Sequence, residues 1–104
     1  MSTSAKQVVS ALGRLYLAGR LTERQLHAGE RFAADMTARV NVAKLRAVLL
    51  AVGDIDTGRR VWHAVMEVAV MDNQACRTWP DHMIGYLRRG LNRLADFCEE
   101  GGAA

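Results

Sequence analysis

The chain of 104 residues is 50% apolar, with one proline, two cysteines and a formal charge of +3 at neutral pH, enough for one modest core and not for two. No apolar run approaches the roughly 18 residues of a membrane span, and no charged-then-apolar leader opens the sequence, so a cytoplasmic domain with no membrane partner is expected. Few β-branched runs and long stretches of Ala, Leu, Arg and Glu select an all-α fold: one helical domain over 1–104, its ordered core spanning 4–98 between short disordered tails.

Val8, Leu12, Leu15 and Tyr16 fall at i, i+4, i+7 and i+8, the stripe of a first helix from residue 4 to about 18 that stops at Gly19. Thr22 and Gln25 then form a capping box with Leu21 and Leu26 at staple positions, which starts the second helix at Glu23. Its inward residues are Leu26, Phe32, Ala33, Met36 and Val40, and Glu23 with His27 and Asp35 with Arg39 are spaced as i, i+4 pairs. Asn41 is placed to cap a short third helix, in which Val42, Leu45, Leu49 and Val52 face inward before Gly53.

The stretch "GDIDTG" reads as a turn, with Asp54 or Asp56 as the cap of a fourth helix. There Val61, Trp62, Val65, Met66, Val68 and Ala69 cover more than half of the circumference, which predicts a central helix packed on two sides. Asp72 and Asn73 interrupt it, "QACR" forms a further short helical turn, and Thr78-Trp79-Pro80-Asp81 starts the last helix with proline in its first turn. "GGAA" is a frayed tail. The sum is a compact bundle of about five helices.

In the last helix Ile84, Leu87, Leu91, Leu94 and Cys98 share one narrow core stripe at about 100° per residue. The opposite face collects His82, Gly85, Arg89, Asn92, Arg93 and Asp96, with Tyr86 and Arg88 on its flanks. Arginine suits guanine edges and phosphates, asparagine suits adenine, and glycine admits a close backbone. A short helical turn, a tight connection and a longer helix also follow the order of a helix-turn-helix pair. The candidate nucleic-acid-binding residues are therefore Arg77, His82, Tyr86, Arg88, Arg89, Asn92 and Arg93. His82, Tyr86 and Arg89 are assigned to base edges, and Arg88, Asn92 and Arg93 to the backbone. The plain alternative is that an arginine-rich outer face is only solvated.

Charge is uneven along the chain. Residues 1–53 hold eight basic and three acidic side chains, and residues 54–104 hold six and eight, so a basic N-terminal half is a second candidate for phosphate contact. Twelve of the fourteen basic residues are arginine, which codon usage explains as readily as selection for bidentate binding.

Together "GRLTERQLHAGERFAADM", "RAVLLAVGD", the apolar helix after it and "TWP" followed by "LRRGLNRLADF" resemble a family of small bacterial and phage-derived helix-turn-helix domains related to the activators of gene transfer agents. The resemblance covers about residues 12–98. Its most specific parts are "AGERF" with Ala34 and Asp35, and the Trp79-Pro80 turn followed by Leu87, Leu91, Arg93, Leu94 and Ala95. It implies a DNA-binding transcription regulator of phage origin, or a factor that touches RNA polymerase.

Other chemistry finds little support. His27, His63 and His82 with Cys76 and Cys98 lack the ligand spacing of a structural zinc site, although Cys76 and His82 make half of one, and the thiols suit a reduced compartment without a disulfide. No nucleophile elbow, phosphate-cradling glycine loop or zincin motif occurs. Glu30 in "AGERF" is more simply a solvated carboxylate, Trp62 and Trp79 are core anchors, and Met36, Met66, Met71 and Met83 are packing residues. No enzyme, metal or cofactor is expected. The leading expectation is a regulator that binds double-stranded DNA through the last helix. The alternative is a helical module that docks on RNA polymerase or a co-regulator without reading bases. A homodimer is compatible with either.

Overall fold

A computed structural model describes residues 10–101. Among them lie five α-helices: α1 (Ala11–Leu17), α2 (Glu23–Ala38), α3 (Val42–Leu50), α4 (Ile55–Val65) and α5 (Asp81–Glu99). A π-helical turn, Met66–Val70, prolongs α4, and a 3-10 turn, Gln74–Thr78, precedes α5. No strand occurs among the described residues, so the chain is the all-α bundle its composition predicts. None of these helices is long and apolar enough to cross a membrane.

Each start has a local cause. Ser10 Oγ accepts from the Gly13 amide at 2.9 Å, and Asp72 Oδ1 accepts from the Ala11 amide at 2.7 Å across 61 residues of sequence, so two of the four orphan donors of α1 are satisfied. The first turns expected for this helix, with Val8, lie outside the described residues, as does most of the tail. Leu12 and Leu15 are buried, whereas Tyr16 at the stripe's edge is exposed. Both halves of the capping box at α2 are present: the Gln25 amide donates to Thr22 Oγ1 at 3.1 Å, and the Thr22 amide to Gln25 Oε1 at 2.9 Å.

The expected inward stripe of α2 needs correction at its end. Arg39 takes a left-handed conformation (φ 60°) and closes the helix, so Val40 falls beyond the last turn and is exposed. Its actual core face is Gln25, Ala28, Gly29 and Phe32. Neither i, i+4 pair expected there forms; Arg31 reaches Asp35 instead, at 3.8 Å. Asn41 does precede α3, but in a left-handed conformation (φ 56°) with no side-chain cap. Of the two candidate caps for α4 the cap is Asp54, whose carboxylate accepts from the Thr57 amide at 2.7 Å. The hydrogen bond to Thr57 holds the Asp54 carboxyl below its ordinary value. Pro80 stands one place before the first turn of α5, as its N-cap residue.

The hub of the bundle is α5, not α4: it packs against α2, α3 and α4. The expected stripe is right but too narrow. Ile84, Leu87, Leu91 and Leu94 are fully or almost fully buried, and Gly90, Ala95 and Phe97 widen the buried arc to nearly half of the helix, while Cys98, in the last turn, is only half-buried. Three neighbours explain the width, since a helix touched from three sides needs more than an a/d seam. Trp62 packs at the edge of the core, edge-on to Phe32 with ring centroids 6.2 Å apart. Met71 follows the π turn immediately before the left-handed Asp72 and projects outward; of the methionines expected to pack, Met36 and Met66 lie against the core.

Candidate nucleic-acid interface

The outer arc of α5 is divided along its length. Toward α2 it is occupied by a ladder of polar contacts. Arg20 Nη2 donates to Asp81 at 2.6 Å, Arg88 Nε donates to the Arg20 carbonyl at 2.7 Å, and Gln25 Nε2 donates to Asn92 Oδ1 at 3.1 Å. Below them Arg24 bridges Asp96 at 2.7 Å and Glu99 at 3.0 Å, contacts that raise the pKa of its guanidinium further, the Glu99 bond foremost. Buried Gln25 is the pivot, closing the capping box with its oxygen and holding Asn92 with its nitrogen.

This ladder decides the status of several candidate side chains. Half-buried Arg88 and exposed Asn92 are each tied to the α2 side by one hydrogen bond, and Arg93 pairs with Glu100 at 3.3 Å. Those contacts fix the three side chains against the protein and leave each fewer groups for a duplex, since Arg88 spends its Nε, Asn92 its Oδ1 and Arg93 its Nη1. His82 and Arg89 are exposed, and Arg89 makes no ion pair or hydrogen bond among the described residues. Arg77 is exposed on the 3-10 turn, off the helix itself.

Toward α4 the surface has another character. Arg60 lies over the Tyr86 ring with its guanidinium carbon 5.9 Å from the centroid, and Arg46 lies over Trp62 at 5.7 Å. Between α4 and α5 runs a groove of about 300 Å³ lined by Arg60, His63, Glu67, Trp79, His82, Met83 and Tyr86. His63 also borders the neighbouring hollow with Arg46, Arg59 and Trp62, so the two hollows form one continuous face. Its guanidiniums are Arg46, Arg59, Arg60 and, one turn beyond Tyr86, Arg89. Its acids are Asp56, on the same arc of α4, Asp54, whose charge interacts with that of Arg60, and Glu67, whose carboxylate is held by Asn73 Nδ2 at 2.8 Å. Cation–π seats keep two of these arginines extended along aromatic faces rather than folded onto a carboxylate.

Arg46, Arg59, Arg60 and His63 are absent from the sequence-derived set. A signal for three of them existed: Arg59, Arg60 and His63 fall on the arc of α4 opposite Val61 and Val65. Their relation to Tyr86 depends on how α4 crosses α5, which is a tertiary fact. Gly90 sets that crossing, since a Cβ there would lie 2.5 Å from Val65 Cγ2 and 2.9 Å from Val61 Cγ1.

Metal chemistry has no constellation to use: among the described residues no three of His, Cys, Asp and Glu converge. Cys76 is buried, which pushes its thiol above the ordinary value, with the nearby Asp72 charge adding to the shift; His82, its expected companion, is exposed on α5. No family model, curated protein or solved structure matches this chain.

Proposed function

We propose that this domain binds double-stranded DNA as a transcription regulator, with the first half of α5 toward the major groove and the arginines of α3 and α4 on one phosphate backbone. One observation carries the reading: the basic, aromatic-backed face formed by Arg46, Arg59, Arg60, His63, His82, Tyr86 and Arg89. The carboxylates of α5 support the same polarity, because Asp81 is neutralised by Arg20 and the other three, Asp96, Glu99 and Glu100, lie beyond Asn92. A phosphate-facing surface needs guanidiniums that are extended and not already paired, and a base-reading segment needs an exposed helical arc beside them. Both are present at the N-terminal half of α5 and neither at its C-terminal half. The resemblance to activators of gene transfer agents agrees with this reading.

The base-reading set is thereby reduced to His82, Tyr86 and Arg89, with Gly85 between them. Arg46, Arg59 and Arg60 take the backbone role that the sequence alone assigned to Arg88, Asn92 and Arg93. Fluorescence anisotropy of labelled duplexes at increasing salt tests this. Counterion release requires log affinity to fall linearly with log salt, by about 0.9 per phosphate contacted. A flat salt response, or no affinity for any duplex, would favour the second reading, for which Trp79, Met83 and Tyr86 in the groove are the specific support: docking on a protein such as RNA polymerase.

A further inference from the structure

The end of α1 and the 3-10 turn border a second, open hollow, of about 370 Å³. Arg14, Leu15, Leu17, Ala18, Arg20 and Arg77 line it. Three arginines therefore border one hollow. Arg14 Nε is buried and has no hydrogen-bond partner. Arg20 spends two donors on the Trp79 carbonyl and Asp81, at 3.1 and 2.6 Å, which leaves the remaining three of its five N–H groups. Arg77 is exposed, with no ion pair among the described residues.

A buried donor of a charged group is costly when unpaired, and like charges around one hollow add to that cost. An anion in the hollow offsets the repulsion between these charges. Three positive charges face two nearby carboxylates, Asp81, paired with Arg20, and Asp72, held by the Ala11 amide, which leaves the hollow net positive. A phosphate monoester carries about −1.5 to −2 at neutral pH, and its oxygens match the planar forks of arginine bidentately. The apolar wall of Leu15, Leu17 and Ala18 leaves room for the rest of a small ester.

We propose that the Arg14–Arg20–Arg77 cavity is a phosphate-binding site for a phosphate monoester. Occupation ties α1 to the turn that delivers the chain into α5, because Arg14 belongs to the helix, Arg77 to the turn, and Arg20 already grips Trp79 and Asp81. The site does not depend on DNA binding by the α4–α5 groove. Occupancy stabilises the folded state by mass action, so melting rises with ligand concentration.

The probe is inorganic phosphate, compared with chloride at equal ionic strength. The expected result is a saturable rise in melting temperature with phosphate only, and a phosphate-dependent shift of the Arg14 side-chain Hε resonance. Arg77→Ala, on an exposed side chain, should leave melting in chloride unchanged or slightly raised, because one like charge is removed, and weaken phosphate binding at least about tenfold, the loss of one charge-assisted contact. Arg14→Lys keeps the charge, removes the fork and should do the same. Equal melting in phosphate and chloride, or unchanged phosphate affinity in Arg77→Ala, overturns the site. Competition separates two sources of the phosphate. Displacement of phosphate by saturating unlabelled duplex would assign the cavity to a DNA backbone and overturn the monoester, whereas retention of phosphate beside bound duplex supports it. Phosphate binding by a protein with no duplex affinity leaves this site standing and removes only the DNA reading.

Discussion

Gly90 of α5 meets Val65 of α4 without room for a methyl group: a Cβ on residue 90 would stand 2.5 Å from Val65 Cγ2. That approach brings Arg60 over Tyr86 and so makes the candidate interface. Gly85, five residues earlier on the same helix, has nothing within 4 Å of an added Cβ.

The two glycines should therefore answer an alanine substitution with opposite signs. Gly85→Ala should stabilise by up to about 1 kcal/mol, the helix-propensity difference. Gly90→Ala gains the same propensity but forces two β-branched side chains apart, and should destabilise by roughly 1–3 kcal/mol. Urea midpoints of both variants check this, and equal midpoints would refute the close crossing.

Leu91 is fully buried in the hub helix, whereas Ile55 is 72% exposed. Leu91→Ala should cost about 2–5 kcal/mol, through lost transfer energy and an unfilled cavity. Ile55→Ala should stay within about 0.5 kcal/mol of wild type. Thermal melting followed by circular dichroism at 222 nm distinguishes them.

Asp54 gives the fold a pH dependence of known sign. Its carboxyl is held below the ordinary value by the Thr57 amide, so the folded state binds its proton less readily than the unfolded chain does. The contribution is present above the unfolded carboxylate value, about 3.9, and is lost as pH falls through the lowered folded value. Melting of Asp54→Asn should therefore be less sensitive to pH between about 5 and 2 than that of wild type. Parallel curves for the two proteins would count against the cap.

Much of this architecture is legible in the residues because its determinants are local. The Thr22–Gln25 capping box, the Asp54 cap, the break at Asp72 and the stripe from Ile84 to Leu94 need only neighbours within a turn or two. What depends on tertiary geometry is not legible. That Asn41 would take a left-handed conformation without capping, that Met66–Val70 would form a π turn, and that Asp72 would cap α1 from 61 residues away all depend on packing between distant segments. The candidate site divides the same way. Exposure of His82 and Arg89 follows from helical period, but the engagement of Arg88 and Asn92 by Arg20 and Gln25 does not, nor does the alliance of Arg60 with Tyr86.

Arg88 and Arg89 are adjacent in sequence and should fail differently. Arg88→Ala removes the bond to the Arg20 carbonyl and should lower stability by about 1–3 kcal/mol. Arg89→Ala should leave melting unchanged, lose on the order of 1–3 kcal/mol on a preferred site and flatten preference among sites. Melting curves and duplex titrations of the two variants separate the structural arginine from the reading one.

The most direct test is to map the backbone amide resonances of the protein as duplex DNA is added. Binding through the proposed face shifts resonances of residues 59–63 and 81–89, with Arg46, and leaves those around Arg24, Asp96 and Glu99 in place. Shifts confined to the α2 side of α5, or an unchanged spectrum at saturating duplex and low salt, would contradict the assignment of the α4–α5 face to DNA.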